Sequence, residues 1–204
     1  MVLNNFQPKT THVFDWNYHA KERVIINQGG TSSGKTFSIM QVIAMRAVQN
    51  PHTVTTVAAE TIPALKAGAL RDFQKYFLGE IETNQNLRGW EFLLPHFKNY
   101  NKSDRVYTLP NGSVIEFKSY ETPESAKLGK RHYLFLNESN QLPFETYTNL
   151  AIRTSKQIFL DYNPTSKFWV HEKLLNTEGV RLFISCYKHN PFLSDSDTPR
   201  SRQR

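Results

Sequence analysis

NQGGTSSGKTFSIM, residues 27–40, decides how this chain is read. The run before it, RVIINQ (23–28), is apolar and β-branched and reads as a buried strand ending at glycines. The run after it, Lys35 to Val48, has helical spacing. Phe37, Met40, Ile43, Ala44 and Ala47 fall on one face, and Asn50-Pro51 stops the helix. Between them Gly29, Gly30, Thr31, Ser32, Ser33, Gly34, Lys35 and Thr36 fit the pattern G-x-x-x-x-G-K-[ST]. Glycines let backbone N–H groups turn inward around phosphate oxygens, and the helix start adds its positive dipole end. In that arrangement Lys35 reaches the β- and γ-phosphates and the Thr36 hydroxyl ligates Mg²⁺, so ATP with Mg²⁺ is the expected ligand. The plain alternative is a Gly/Ser loop before an ordinary helix.

A phosphate cradle needs a neighbouring strand that carries acids. Two runs qualify, YLFLNE (133–138) and QIFLDYN (157–163), both apolar enough for strands buried on two faces. Glu138 ends the first, at the edge where ligands gather in open α/β sheets, and could polarise an attacking water. The alternative for Glu138 is an acid set against a helix dipole. The position before such a glutamate usually carries an aspartate that fixes Mg²⁺ through water. Here it is Asn137, which can accept a hydrogen bond but brings no charge.

Further strands are expected at TVTTVAA (53–59) and VRLFIS (180–185), with helices over 62–77 and 166–175. RVYTLPNGSVIEFKS (105–119) carries alternating apolar residues around Asn111-Gly112, a hairpin signal. Residues 79–104 read as irregular, anchored by Trp90, Phe92 and Phe97. Strands alternating with helices predict an α/β fold, a mostly parallel sheet flanked by helices, with an antiparallel hairpin added. The 204 residues suffice for one such domain: 1–22 a lead-in, 23–188 the core, 189–204 the start of a linker or tail. The tail TPRSRQR is polar and is expected to be mobile.

A net charge of +7 favours polyanion partners such as nucleic acid, although solubility alone explains it equally. No run of 18 apolar residues occurs, and no membrane role is expected. The single cysteine, Cys186, excludes an internal disulfide and reads as a buried strand residue. The seven histidines lack metal-ligand spacing, so no zinc site is expected.

Three segments together resemble the large subunit of bacteriophage terminase: GGTSSGKT, YLFLNESNQLP, and FLDYNPTSKFW followed by YKHNPFL. The resemblance covers most of residues 20–193. It implies a P-loop NTPase of the RecA-like, additional-strand catalytic-Glu (ASCE) class that drives double-stranded DNA into a procapsid. It implies a homo-oligomeric ring, of five subunits, on a portal protein, with a small terminase subunit as partner, in the cytoplasm of the infected bacterial host. On this chain it assigns phosphate and metal binding to Gly34, Lys35 and Thr36, water activation to Glu138, and γ-phosphate sensing to Asn163. The alternative for Asn163 is plain Asn-Pro turn chemistry. A basic residue from a neighbouring subunit is also implied. Lys127, Lys130 and Arg131 are candidates, and Arg131 is favoured because guanidinium holds phosphate bidentately; a solvated basic loop is the alternative.

The chain departs from the family in three places. Asn137 replaces the usual aspartate and Thr31 a frequent arginine. Relatives carry a nuclease domain after the ATPase, for which no room is expected before Arg204, so no nuclease activity is expected of this chain. Adenine contacts point to Tyr18 and Arg23, with core packing an equal reading for both. Three other functions fit parts of the pattern: a small-molecule phosphotransferase, a helicase-like ATPase, and a nucleotide-dependent DNA-binding module disabled by Asn137.

Overall fold

The computed structural model describes residues 10–79 and 89–193. The TPRSRQR tail, and parts of the predicted lead-in, irregular region and linker, lie outside them. Eight strands form one sheet in the order β3-β4-β5-β2-β6-β7-β1-β8. They are β1 (Val24–Gly29), β2 (Val54–Ala59), β3 (Tyr100–Asn101), β4 (Val106–Thr108), β5 (Val114–Ser119), β6 (Arg131–Leu136), β7 (Thr154–Tyr162) and β8 (Val180–Ser185). All neighbours pair in parallel except β3-β4 and β4-β5, so the sheet is the expected parallel array with an antiparallel addition.

The apolar runs are strands because both their faces are covered. Ile25, Val57, Phe135 and Phe159 point into one core with helix α2 (Lys35–Gln49). Ile26, Ala58, Leu134 and Leu160 point into a second core. There they meet Tyr147 and Leu150 of α5 (Phe144–Ile152) and Val170 of α6 (Trp169–Lys173). Side chains alternate across a strand, so continuous apolar sequence is what two covered faces require. Among the described residues no helix is long and apolar enough to cross a membrane.

The lead-in carries an element that the sequence pattern does not announce. Helix α1 (His12–His19) is N-capped by the Thr11 hydroxyl, which accepts from the Phe14 N–H at 2.9 Å. The same hydroxyl lies 2.6 Å from that of Ser38 on α2. Buried Asn17 and Asn27 exchange two amide hydrogen bonds of 2.8 Å, which pin α1 to β1.

Several expectations are corrected. The helix over 62–77 is broken at Gly68, whose φ −110, ψ −114 is not helical. It becomes α3 (Ile62–Ala67), α4 (Ala69–Arg71) and a π-helical stretch (Asp72–Gly79). Leu65, Ala69, Phe73 and Phe77 still share the buried side, because spacing by four suits either helix type. Phe92 is 46% exposed and stacks on Trp90 from the surface, whereas Trp90 and Phe97 are buried. The second predicted helix shortens to α6, and Cys186 lies just past β8, half-buried. The hairpin has a loop longer than two residues: the Leu109 N–H meets the Ser113 carbonyl at 2.8 Å, and Gly112 takes a left-handed φ of 79.

Candidate functional site

The site forms at the carboxyl edge of the sheet, where β1, β6 and β7 end. Gly29, the last residue of β1, faces Ser185 of β8 in register. A Cβ at Gly29 would stand 2.3 Å from the Ser185 hydroxyl and 2.7 Å from its carbonyl oxygen, so this glycine serves strand packing. A Cβ at Gly30 would meet nothing within 4 Å, which leaves the loop open on that side. Ser32 and Gly34 take left-handed φ values of 69 and 78, and these turn the loop back onto α2. Helix α2 has no side-chain cap and no acid in its first turn, so its first N–H groups and dipole stay available to an anion.

A cavity of about 420 Å³ lies over this helix start. Residues Thr31 through Thr36 form its floor, Gly68 and Arg71 one wall, and Asn137, Glu138, Asp161 and Asn163 the other. Lys35 is only 8% exposed. Its ammonium donates to the Gly30 carbonyl at 3.3 Å and to Asn163 Oδ1 at 2.8 Å. Burial lowers its pKa from 10.5, while the charges of Asp161 and Glu138 act to raise it. Asn163, just past β7, is thus brought to the lysine of the loop.

Glu138 is exposed at the cavity and lies two residues past the end of β6. Its backbone is left-handed (φ 53, ψ 53), a conformation L-residues rarely hold without support. The support is a 2.8 Å hydrogen bond from its own N–H to Asp161 Oδ1. Asp161 is 1% exposed and gathers the site around one carboxylate. Thr36 Oγ1 donates to its Oδ2 at 2.5 Å, and the Asn137 amide donates to Oδ1 and Oδ2 at 3.0 and 3.3 Å. The sequence reading weighed FLDYN as an acid-bearing strand but gave Asp161 no role. Its signal was an aspartate near the end of an apolar strand.

Asn190 was also missed. Its amide donates to the Ser32 carbonyl at 3.1 Å and ties the loop to the segment after β8. Tyr162, next to Asp161, donates to Gln28 at 2.8 Å, and burial pushes its phenol up to about 12.

Three predicted residues lie elsewhere. Arg131 begins β6, at the amino edge of the sheet, is 3% exposed, and donates to the carbonyls of Leu128, Gly129 and Leu150. Within this chain the guanidinium holds chain turns together and does not face the cavity. Arg23 likewise donates to the carbonyls of Ala151, Thr154 and Lys156, at the same edge. The Tyr18 ring stacks on Phe14, with the Arg46 guanidinium 5.1 Å above it, in the packing of α1 on α2. Neither Arg23 nor Tyr18 lines the cavity.

The donor set suits a Mg²⁺-nucleotide. The Thr36 hydroxyl, the Asp161 and Glu138 carboxylates and Asn137 Oδ1 place hard oxygen donors in one cavity. The Ser33 hydroxyl, buried within the loop without a partner, is the kind of orphan a phosphate oxygen satisfies.

Strand β7, inserted between the loop strand β1 and the glutamate strand β6, defines the fold as a P-loop NTPase of the additional-strand catalytic-glutamate class. The family model for the phage terminase large subunit matches residues 21–203, and the chain belongs to that family. Its structure resembles the large terminase of a thermophilic bacteriophage, with a TM-score of 0.73 and 14% identity over 97% of this chain and 50% of that one. The ADP complex of the same thermophilic-phage protein matches at 0.72, with 14% identity over 94% and 47%. The ATPase domain of the Thermus phage P74-26 large terminase matches at 0.59, with 13% identity over 86% and 80%. The chain spans about half the length of the thermophilic-phage terminase. A search of curated proteins returned no match.

Proposed function

We propose that this chain is the ATPase unit of a terminase large subunit, hydrolysing ATP to drive double-stranded DNA into a procapsid. The observation that carries the reading is the convergence of Lys35, Thr36, Glu138 and Asn163 on one cavity, from a loop and two strands that are remote in sequence. ADP and ATP-gamma-S complexes of the thermophilic-phage terminase, and a similar fold in the Phi-28 gp11 DNA packaging motor (TM-score 0.52, 12% identity, 93% of this chain and 63% of that one), support it.

In this reading the loop N–H groups and Lys35 hold the β- and γ-phosphates. Mg²⁺, held through Thr36 and the residues behind it, would neutralise the phosphate charge. Glu138 accepts the proton of the attacking water as its oxygen bonds to the γ-phosphorus and ADP leaves. Asn163, released from or kept on Lys35, reports whether the γ-phosphate is present. The ATPase core is residues 23–188, with α1 packed onto it. A ring of five on a portal protein, served by a small subunit in the host cytoplasm, completes the motor. Because Arg131 is enclosed, the basic group given to a neighbour's nucleotide comes from exposed Lys127 or Lys130.

Steady-state ATP hydrolysis against Mg²⁺ and protein concentration, with and without linear double-stranded DNA, tests this. Turnover should rise faster than linearly with protein and increase with DNA. Glu138→Gln should bind ATP normally and lose about 10²–10⁴-fold in rate. Undiminished turnover in that variant would remove Glu138 from the chemistry, and failure of the unmodified protein to bind ATP would remove the whole reading.

A further inference from the structure

We infer that Asp161, on the strand inserted between β1 and β6, supplies the fixed negative charge that position 137 lacks, and is the positioning residue for the metal side of the cavity. The inference rests on the nucleotide-binding reading above.

The first ground is its partners. Four hydrogen bonds from three neutral groups converge on this carboxylate: one from the Thr36 hydroxyl, two from the Asn137 amide and one from the Glu138 N–H. The nearby Lys35 ammonium feels its charge but donates to Gly30 and Asn163 instead. A buried carboxylate held by neutral donors is costly unless a further positive charge completes it. The cavity beside Thr36 is the open side from which that charge can come.

The second ground is mutual exclusion. The Asn137 amide nitrogen stands 3.0 Å from Asp161 Oδ1. An acid at 137 would put two carboxylates at that separation, and without a cation between them both could not stay ionised. One of the two positions can hold the charge, and this chain holds it at 161.

The third ground is register. Leu136 pairs with Leu160, and Asp161 pairs with Asn27 of β1. Asp161 is therefore one strand nearer the phosphate loop than position 137 and reaches the Thr36 hydroxyl directly. The same carboxylate fixes the Glu138 backbone, so the metal ligand and the water-activating residue are set by one group.

Binding of a fluorescent ADP analogue to the full chain, with Mg²⁺ and with EDTA, tests this in the wild type, Asp161→Asn, Asn137→Asp, the Asp161→Asn/Asn137→Asp exchange and Lys35→Ala. Asp161→Asn should lose about 10–100-fold of the affinity that Mg²⁺ adds, as for other residues behind a metal ligand. Its affinity in EDTA should change much less than its affinity in Mg²⁺. The exchange variant should regain most of the loss, because the charge has only moved one strand. Asn137→Asp alone should melt lower in EDTA and recover with Mg²⁺. A full Mg²⁺ effect in Asp161→Asn overturns the inference, and so does an equal loss with and without Mg²⁺, which marks a mere fold prop. Should Asp161→Asn not fold, the other two decide: a folded exchange variant without a Mg²⁺ effect, or an Asn137→Asp melting point indifferent to Mg²⁺, overturns it. Absence of any ADP binding in the wild type, equal to Lys35→Ala, refutes the nucleotide reading itself, whereas the outcomes above leave it standing.

Discussion

The two edges of the parallel sheet gather polar groups in opposite ways. At the amino edge exposed Arg23 and buried Arg131 donate to backbone carbonyls of α5, β7 and the turn before β6. At the carboxyl edge Lys35, Thr36, Asn137, Glu138, Asp161 and Asn163 gather around a cavity of about 420 Å³. The chemistry of the side chains is similar, but the architecture differs. At the amino edge backbone carbonyls hold the guanidiniums, while at the carboxyl edge a helix begins and leaves its N–H groups facing outward. A charged residue becomes structural where carbonyls surround it and becomes available for ligands where they do not.

The sharpest way to break this contrast is a reciprocal pair of substitutions. Lys35→Ala should abolish measurable nucleotide binding while leaving the melting temperature near that of the wild type, because removing a desolvated ammonium relieves a burial cost. Arg131→Met should keep the binding affinity and lose about 1.5–3 kcal/mol of stability, the worth of charged hydrogen bonds to carbonyls. Calorimetry alongside nucleotide titration checks both. If Arg131→Met lost ATP turnover at unchanged stability, Arg131 would belong to the chemistry after all.

A smaller contrast lies within the loop. Gly29→Ala drives a methyl into Ser185 and should cost about 1–3 kcal/mol, whereas Gly30→Ala meets open space and should fold normally. Equal melting points for the two would mean that β1 and β8 can separate at that point. The smallest effect is in pH. Lys35 has a lowered pKa, so between that value and 10.5 the unfolded chain binds the extra proton. Stability therefore rises with pH through that window while nucleotide affinity falls, as the ammonium that holds phosphate is lost. Affinity constant up to pH 10.5 would place the phosphate charge on another group.

Local pattern made much of this legible. The run from Arg23 to Val48 contained its strand, loop and helix because each is decided by residues a few positions apart. VRLFIS (180–185) reads correctly for the same reason. What the sequence hid depends on which strands become neighbours. Asp161 looked like one of two acids until β7 was placed between β1 and β6, since register alone brings it to Thr36. Arg131 was read by its type, which suits phosphate, whereas its place at the amino edge, away from the cavity of its own chain, depends on where β6 begins. Gly68 was hidden in an apolar spacing of four that survives the break, and the break is what lets that wall approach Asn137, 3.3 Å from where a Cβ would stand.

The Asn190 bond to the Ser32 carbonyl gives the chain after β8 a stake in the phosphate loop. Free energy is reciprocal: if filling the loop shifts the Ser32 carbonyl and strengthens or weakens that bond, then pulling on the segment after β8 must alter affinity in the loop by the same amount. A single side-chain amide thus makes ligand occupancy and tension on the outgoing chain two readings of one quantity.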